Sequence, residues 1–243
     1  MKNSSNTSLC ASLLVLAVGT LSSFTAAGPA ADHETRPVGG FTEINLGGSA
    51  HVVVKQGSPQ SVVVEANKED RADFETEVQG SSLRLGFRQK PGGGRFNYQS
   101  HGPVTVYVTV PNLTALRVGG SGRLELNGPL EADVLVLAVS GSGDLVVPQL
   151  RAGHLETNVS GSGDVTVGGS CSSNEIRISG SGKVRAHDLK TETSRARISG
   201  SGNAHVFASR SAEGAISGSG NLYVAGGAQL NSSTHGSGRV TKE

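Results

Sequence analysis

The chain has 243 residues, 35 of them Gly and 32 Ser, with 35% hydrophobic and 4% aromatic residues and no Trp. Collagen is excluded, because glycine does not recur at every third position and Pro numbers only 8; simple disorder is disfavoured, because charged residues are 17% and short Val/Ile/Leu runs recur throughout. Lys+Arg at 21 against Asp+Glu at 20 leaves a net charge of +1, without the positive excess that a nucleic-acid partner requires.

Lys2 precedes an apolar run over residues 9–18, which gives way to small and polar residues ending at Ala27. This is the layout of a secretory signal peptide over residues 1–27, the run being shorter than the ~20 apolar residues a bilayer span needs. Cleavage removes one Lys and no acid, so the mature chain is electrically balanced. Cys10 falls within the signal and leaves Cys171 alone, so no intrachain disulfide staples the exported fold. Residues 28–37 read as a flexible mature N-terminus.

Residues 38–117 read as an irregular β-rich part, with strands predicted at 41–46, 51–56, 61–65, 75–79, 82–87 and 104–110. The charged stretch 67–74 suits one helical turn. Gly47-Gly48-Ser49-Ala50, followed by Val52 and Val54, looks like a diverged copy of the motif that dominates the rest of the chain. Residues 88–103 form a glycine-punctuated loop. Arg88, Lys90 and Arg95 surround Phe96 and Tyr98 there, a set suited to stacking on sugars or contacting acidic glycans, which makes the loop the local binding candidate.

Residues 118–243 are repetitive. Ser-Gly-Ser-Gly begins at Ser140, Ser160, Ser179, Ser199 and Ser217, with degenerate copies at Gly119 and His235, so the spacing stays between 18 and 21 residues. Val118, Val139, Val159, Ile178, Ile198, Ile216 and Thr234 stand immediately before the copies. Leu124, Leu145, Val165, Val184, Ala204, Leu222 and Val240 stand two residues after them. Polar residues separate these rows, which is the period-2 alternation of a half-buried strand. A unit of this size buries its apolar face only by stacking on its neighbours. The fold class predicted is all-β: a right-handed parallel β-helix, or β-solenoid, of about seven coils after the less regular N-terminal part. By the same alternation the motif glycines (Gly141, Gly143, Gly161, Gly163, Gly180, Gly182, Gly200, Gly202, Gly218 and Gly220) face inward. They allow either a sharp inward bend or a plain corner turn. The serines face outward, where hydroxyls can bond to neighbouring coils.

The residues from Val38-Gly39-Gly40-Phe41 through Val52-Val53-Val54-Lys55-Gln56-Gly57 and Val108-Thr109-Val110-Pro111-Asn112-Leu113 to the Ser-Gly-Ser-Gly coils carry a resemblance. They are similar to the putative auto-transporter adhesin head GIN domain family of exported bacterial proteins, over about residues 38–240. The resemblance implies a β-solenoid, a Gram-negative envelope setting (periplasm, outer-membrane surface or secreted) and an adhesive role. The leading reading is a non-enzymatic, adhesin-like binding or structural protein of the envelope or surface, its partner a surface glycan or an envelope protein.

Catalytic readings are weaker. Arg123, Asp144, Asp164, Lys183, Asn203, Asn221 and Arg239 stack in one outward line, which can be read as an acid/base site or as a solvated ladder with Asp164 over Lys183 and Asn over Asn. A polysaccharide-acting enzyme on a β-helix scaffold is the alternative function. Asp144 and Asp164 are too few for a calcium-binding repeat. Gly182-Lys183 lacks the rest of a phosphate loop, and the seven His show no metal spacing. No cofactor and no metal are expected.

Overall fold

Apolar residues at alternate positions give each short segment one face to bury, and a repeat of constant length lays that face over its neighbours. The computed structural model describes residues 32–88 and 100–243. It is 67% strand and 3% helix, with a β-solenoid of about six turns. The predicted signal peptide lies outside the described residues.

The N-terminal part contains β1 (Asp32–Thr35), β2 (Glu43–Gly47), β3 (His51–Gln56), β4 (Ser61–Ala66), α1 (Lys68–Asp73), β5 (Phe74–Gln79), β6 (Ser82–Phe87) and β7 (Thr105–Val110). The repeat contains β8 (Ala115–Val118), β9 (Arg123–Leu126), β10 (Leu130–Val139), β11 (Asp144–Val159), β12 (Asp164–Gly180) and β13 (Lys183–Ala186). It continues through β14 (Leu189–Gly200), β15 (Asn203–Phe207), β16 (Ser211–Gly218), β17 (Asn221–Ala225), β18 (Gln229–His235) and β19 (Arg239–Lys242).

From β8 onward consecutive coils pair in parallel and in register. Val118, Val139, Val159, Ile178, Ile198, Ile216 and Thr234 are successive partners, and so are Leu124, Leu145, Val165, Val184, Ala204, Leu222 and Val240. All but the last member of each row are buried, and a fully buried Val, Ile or Leu contributes about 1.5–3 kcal/mol. The turn count falls just below the seven expected; past the last motif only β19 remains. A third row, Leu116, Leu137, Thr157, Ile176 and Ala196, ends at Gly214, where a Cβ would lie 2.6 Å from Leu222 Cδ2. Leu222 follows Ala204 in its own row, so its extra volume fills the space the glycine leaves.

The diverged first copy is part of the stack: Leu46 pairs with Val118 and Val52 with Leu124. On its other side lies a coil made by β6 and β7, with Leu85 against Leu46 and Val108 against Val54. The coil order in space therefore departs from chain order, and an insertion separates the first copy from the second. That is why the spacing breaks before Val118. Beyond this coil the pairing turns antiparallel, β1 on β4, β4 on β7 and β5 on β6. β1 falls inside the span expected to be flexible; it is ordered because β4 supplies a ladder partner. Helix α1 starts at Asn67, whose Oδ1 accepts from the Asp70 N–H at 2.8 Å.

The glycines prove to serve contact between coils. A Cβ on Gly161 would lie 2.4 Å from the Gly141 carbonyl oxygen, and one on Gly163 would lie 2.2 Å from the Gly143 oxygen and 2.6 Å from Val139 Cγ1. Each obstruction belongs to the coil stacked beneath, so the tight approach is along the solenoid axis. The corner is held by main-chain bonds: the Gly141 carbonyl accepts both the Ser162 and the Gly163 N–H at 3.0 Å.

Candidate functional site

A strand whose inward residues form the core must present the residues between them to solvent, and register stacks these into columns. On the wall preceding the motif one column runs Arg84, Asn45, Arg117, Ala138, Asn158, Arg177, Arg197, Ala215 and Ser233. On its motif side stand Ser179, Ser199, Ser217 and His235, again in register. On the other side stand Glu43, Glu156, Glu175, Arg195 and Glu213.

The arginines are anchored from one direction. Arg117 Nη1 pairs with Glu43, Arg177 bridges Glu156 at 2.6 Å and Glu175 at 2.8 Å, and Arg197 Nη1 reaches the same Glu175 at 2.9 Å. Arg84 donates to Gln79 at 2.9 Å. In every case the partner lies in or beside the strand segment away from the serines. The Glu156 carboxyl sits below the usual carboxylate range, chiefly because Asn158 donates to it and also because Arg177 is near, against the opposing effect of burial. Arg195 depresses Glu213 in the same way.

Between the arginine and serine columns lies an open groove of about 440 Å³, lined by Asn158, Arg177, Arg197, Ser160, Ser179, Ser199, Ser217, Ala215, Ser233, His235 and the backs of Val159, Ile178, Ile198 and Ile216. Among the described residues no carboxylate lines it. Its volume lies within the range of small-ligand sites. A second hollow of about 430 Å³ lies on the same track at the N-terminal end, lined by Asn45, Gly47, Glu75, Glu77, Arg84, Leu85, Gly86, Phe87 and Arg88. The wall thus carries concavities at both ends of one arginine column.

Of the loop residues singled out from the sequence, Arg88 lines this second hollow and pairs with Glu75 at 2.8 Å; that bond raises its pKa. Lys90, Arg95, Phe96 and Tyr98 lie outside the described residues. The far foot of the loop is fastened to Asp70, which is fully buried. Its carboxylate accepts from the Asn67 amide at 2.6 Å, Ser100 Oγ at 3.2 Å and the His101 N–H at 3.0 Å. A buried charge is tolerated only when hydrogen-bonded in this way.

The line of residues following the motif is a ladder of half-buried to exposed pairs. Asp164 bonds Arg185 at 3.0 Å and the Lys183 N–H at 3.2 Å, so its side-chain partner is the arginine two residues beyond the expected Lys183. Asp144 meets Arg123 at 3.5 Å, and Asn221 Nδ2 donates to Asn203 at 3.0 Å. Cys171 is buried and donates to the Ser173 carbonyl at 3.3 Å; burial pushes its thiol up to about 12. Among the described residues no group of three or more His, Cys, Asp or Glu is placed to hold a metal ion. None of their helices is long and apolar enough to cross a membrane.

Sequence reasoning followed the residues after each motif and passed over the column two residues before it. Aligning the repeats on Ser-Gly-Ser-Gly would have exposed Arg117, Arg177 and Arg197 at one position.

Residues 40–228 match the family model described as putative auto-transporter adhesin, head GIN domain. Among solved structures, a putative adhesin from Bacteroides fragilis NCTC 9343 is similar with TM-score 0.80 and 20% identity, over 88% of this chain and 99% of that one. A putative lipid binding protein from Parabacteroides distasonis ATCC 8503 is similar with TM-score 0.72 and 21% identity, over 88% and 97%. A putative adhesin from Parabacteroides merdae ATCC 43184 is similar with TM-score 0.70 and 19% identity, over 88% and 96%. No curated protein matches the chain.

Proposed function

The chain belongs to the putative auto-transporter adhesin, head GIN domain family, and on that footing we propose that it is an exported, non-enzymatic, adhesin-like protein of the bacterial envelope or cell surface. It grips an extended surface partner laid along the wall that precedes the motif. The observation that carries this reading is the groove between Arg177–Arg197 and the serine column, which crosses several coils in register. A site built from one position repeated at ~4.8 Å intervals suits a ligand that is itself extended. Arg88, at the near foot of the 88–103 segment, lines the hollow at the N-terminal end of the same track and adds a second contact there. The adhesin names of the similar structures support the binding role, and the lipid-binding name of another adds a ligand class to be tested.

The test is retention of envelope material and a glycan array by the purified protein, compared with an Arg177→Ala/Arg197→Ala variant and with deletion of residues 88–103. Loss of the retained ligand in the double variant is the expected result. Retention unchanged in both variants would remove the groove and the loop as the binding site.

A further inference from the structure

The groove between the arginine and serine columns has an asymmetry that its overall charge conceals. On the wall as a whole arginines and glutamates mix, but the glutamates stand, with Arg195, on the side away from the serines, and among the described residues the groove lining holds two guanidiniums and no carboxylate. Arg177 gives one N–H of each amino group to Glu156 and Glu175 and keeps the second of each, whereas Arg197 reaches Glu175 through Nη1 alone. Among the described residues, Nε and the second amino group of Arg197 therefore keep N–H groups for a ligand. The side chains of Arg177 and Arg197 are 44% and 52% exposed, so these donors are reachable. A guanidinium held in place by a glutamate loses less freedom on binding a second acceptor, and its planar fork matches a carboxylate. Opposite it the serine hydroxyls both donate and accept. Between them the floor lies at Ile178 and Ile198, each only 2% exposed.

We infer that the partner of this groove is a linear glycan bearing carboxylates, seated with its acid groups on Arg177 and Arg197 and its hydroxyls on the serine column. This rests on the reading of the groove as the binding site. Hydroxyls alone would suit any sugar; the two guanidiniums facing an acid-free lining select the acidic ones. Register adds a length requirement. Ser160 to Ser217 spans about 14 Å at the spacing of strands, so an oligomer fills the groove and a single uronic acid does not.

Titration calorimetry of the purified protein tests this with a panel of uronate and sialate oligomers, each paired with its carboxyl-reduced neutral counterpart. Vesicles of phosphatidylglycerol and of phosphatidylcholine extend the panel. The expected result is binding of at least one acidic oligomer, weakened at least tenfold by carboxyl reduction, by Arg177→Ala and by Arg197→Ala, and weakened by added salt. Arg151→Ala, at an exposed arginine paired with Glu131 elsewhere on the coil, leaves binding unchanged. Equal binding of the reduced oligomers, or no loss in either arginine variant, overturns the acidic class. Preference for anionic vesicles overturns it in favour of a lipid. Ser199→Phe, which fills the groove from an exposed position, separates the two levels. A neutral glycan lost in Ser199→Phe but kept in the arginine variants refutes only the acidic class. A ligand kept in all three variants refutes the groove itself.

Discussion

Gly163→Ala isolates the packing between coils from every other property of glycine. Gly163 does not lie in the left-handed region of backbone space, so alanine brings no conformational strain there. What it brings is a methyl group 2.2 Å from the Gly143 oxygen and 2.6 Å from Val139 Cγ1. Restoring ordinary contact requires the two coils to part locally by about 1 Å, since the obstruction is main chain and cannot rotate away. The main-chain bonds at that corner are already 3.0 Å for Ser162 and Gly163 and 3.3 Å for Asp164, and such a displacement carries them out of range. Losing one or two bonds at about 0.5–1.5 kcal/mol each, together with overpacking of about 1–3 kcal/mol, outweighs the ~0.4–1 kcal/mol that alanine gains by restricting the unfolded chain. The expected net loss is about 2–3 kcal/mol, or roughly 5–10 °C in Tm for a domain of this size. Thermal and urea unfolding followed by circular dichroism measure it, with Gly39→Ala, where a Cβ meets nothing within 4 Å, as the neutral control. A Gly163→Ala protein as stable as the parent would refute the close stacking of motif corners.

Other outcomes follow from the same contacts. Thr157 Oγ1 and Ser194 Oγ are buried without a hydrogen-bond partner among the described residues, so Thr157→Val and Ser194→Ala should leave stability unchanged or raise it by up to about 1 kcal/mol; a loss above that in urea titrations would refute this. Arg177→Ala should lower Tm by no more than a couple of degrees, because exposed ion pairs contribute about 0–1 kcal/mol, even where it abolishes ligand retention. The folded pKa of Glu156 is depressed, so its pairing contributes stability that is complete above the ordinary value of 4.5 and lost as pH falls through the lower folded value. Tm measured from pH 7 to 3 should fall less steeply below that point in Glu156→Gln; an unchanged profile would contradict the assignment. With its thiol raised to about 12, Cys171 should react with a thiol reagent at pH 8 only after denaturation.

The repeat made most of this fold readable in one dimension. Because each coil contacts only its neighbours, the spacing of Val139, Val159, Ile178 and Ile198 already states which residues lie over one another, and the registers repeat that statement. The amino-acid sequence by itself therefore determined the strands, the inward rows and the parallel stacking. It did not reveal that the β6–β7 coil stacks outside the first copy, because that order depends on which edge of β2 and β3 is left open when the inserted segment returns. Nor did it reveal that a motif glycine is required by the carbonyl of the coil beneath, which is a distance and not a spacing. The site divides in the same way. Arg177 and Arg197 share a repeat position legible in an alignment of the coils, but their anchoring to Glu175 away from the serines depends on side-chain directions across three coils. Only the tertiary structure sets the two guanidiniums along the groove and their carboxylate partners behind them.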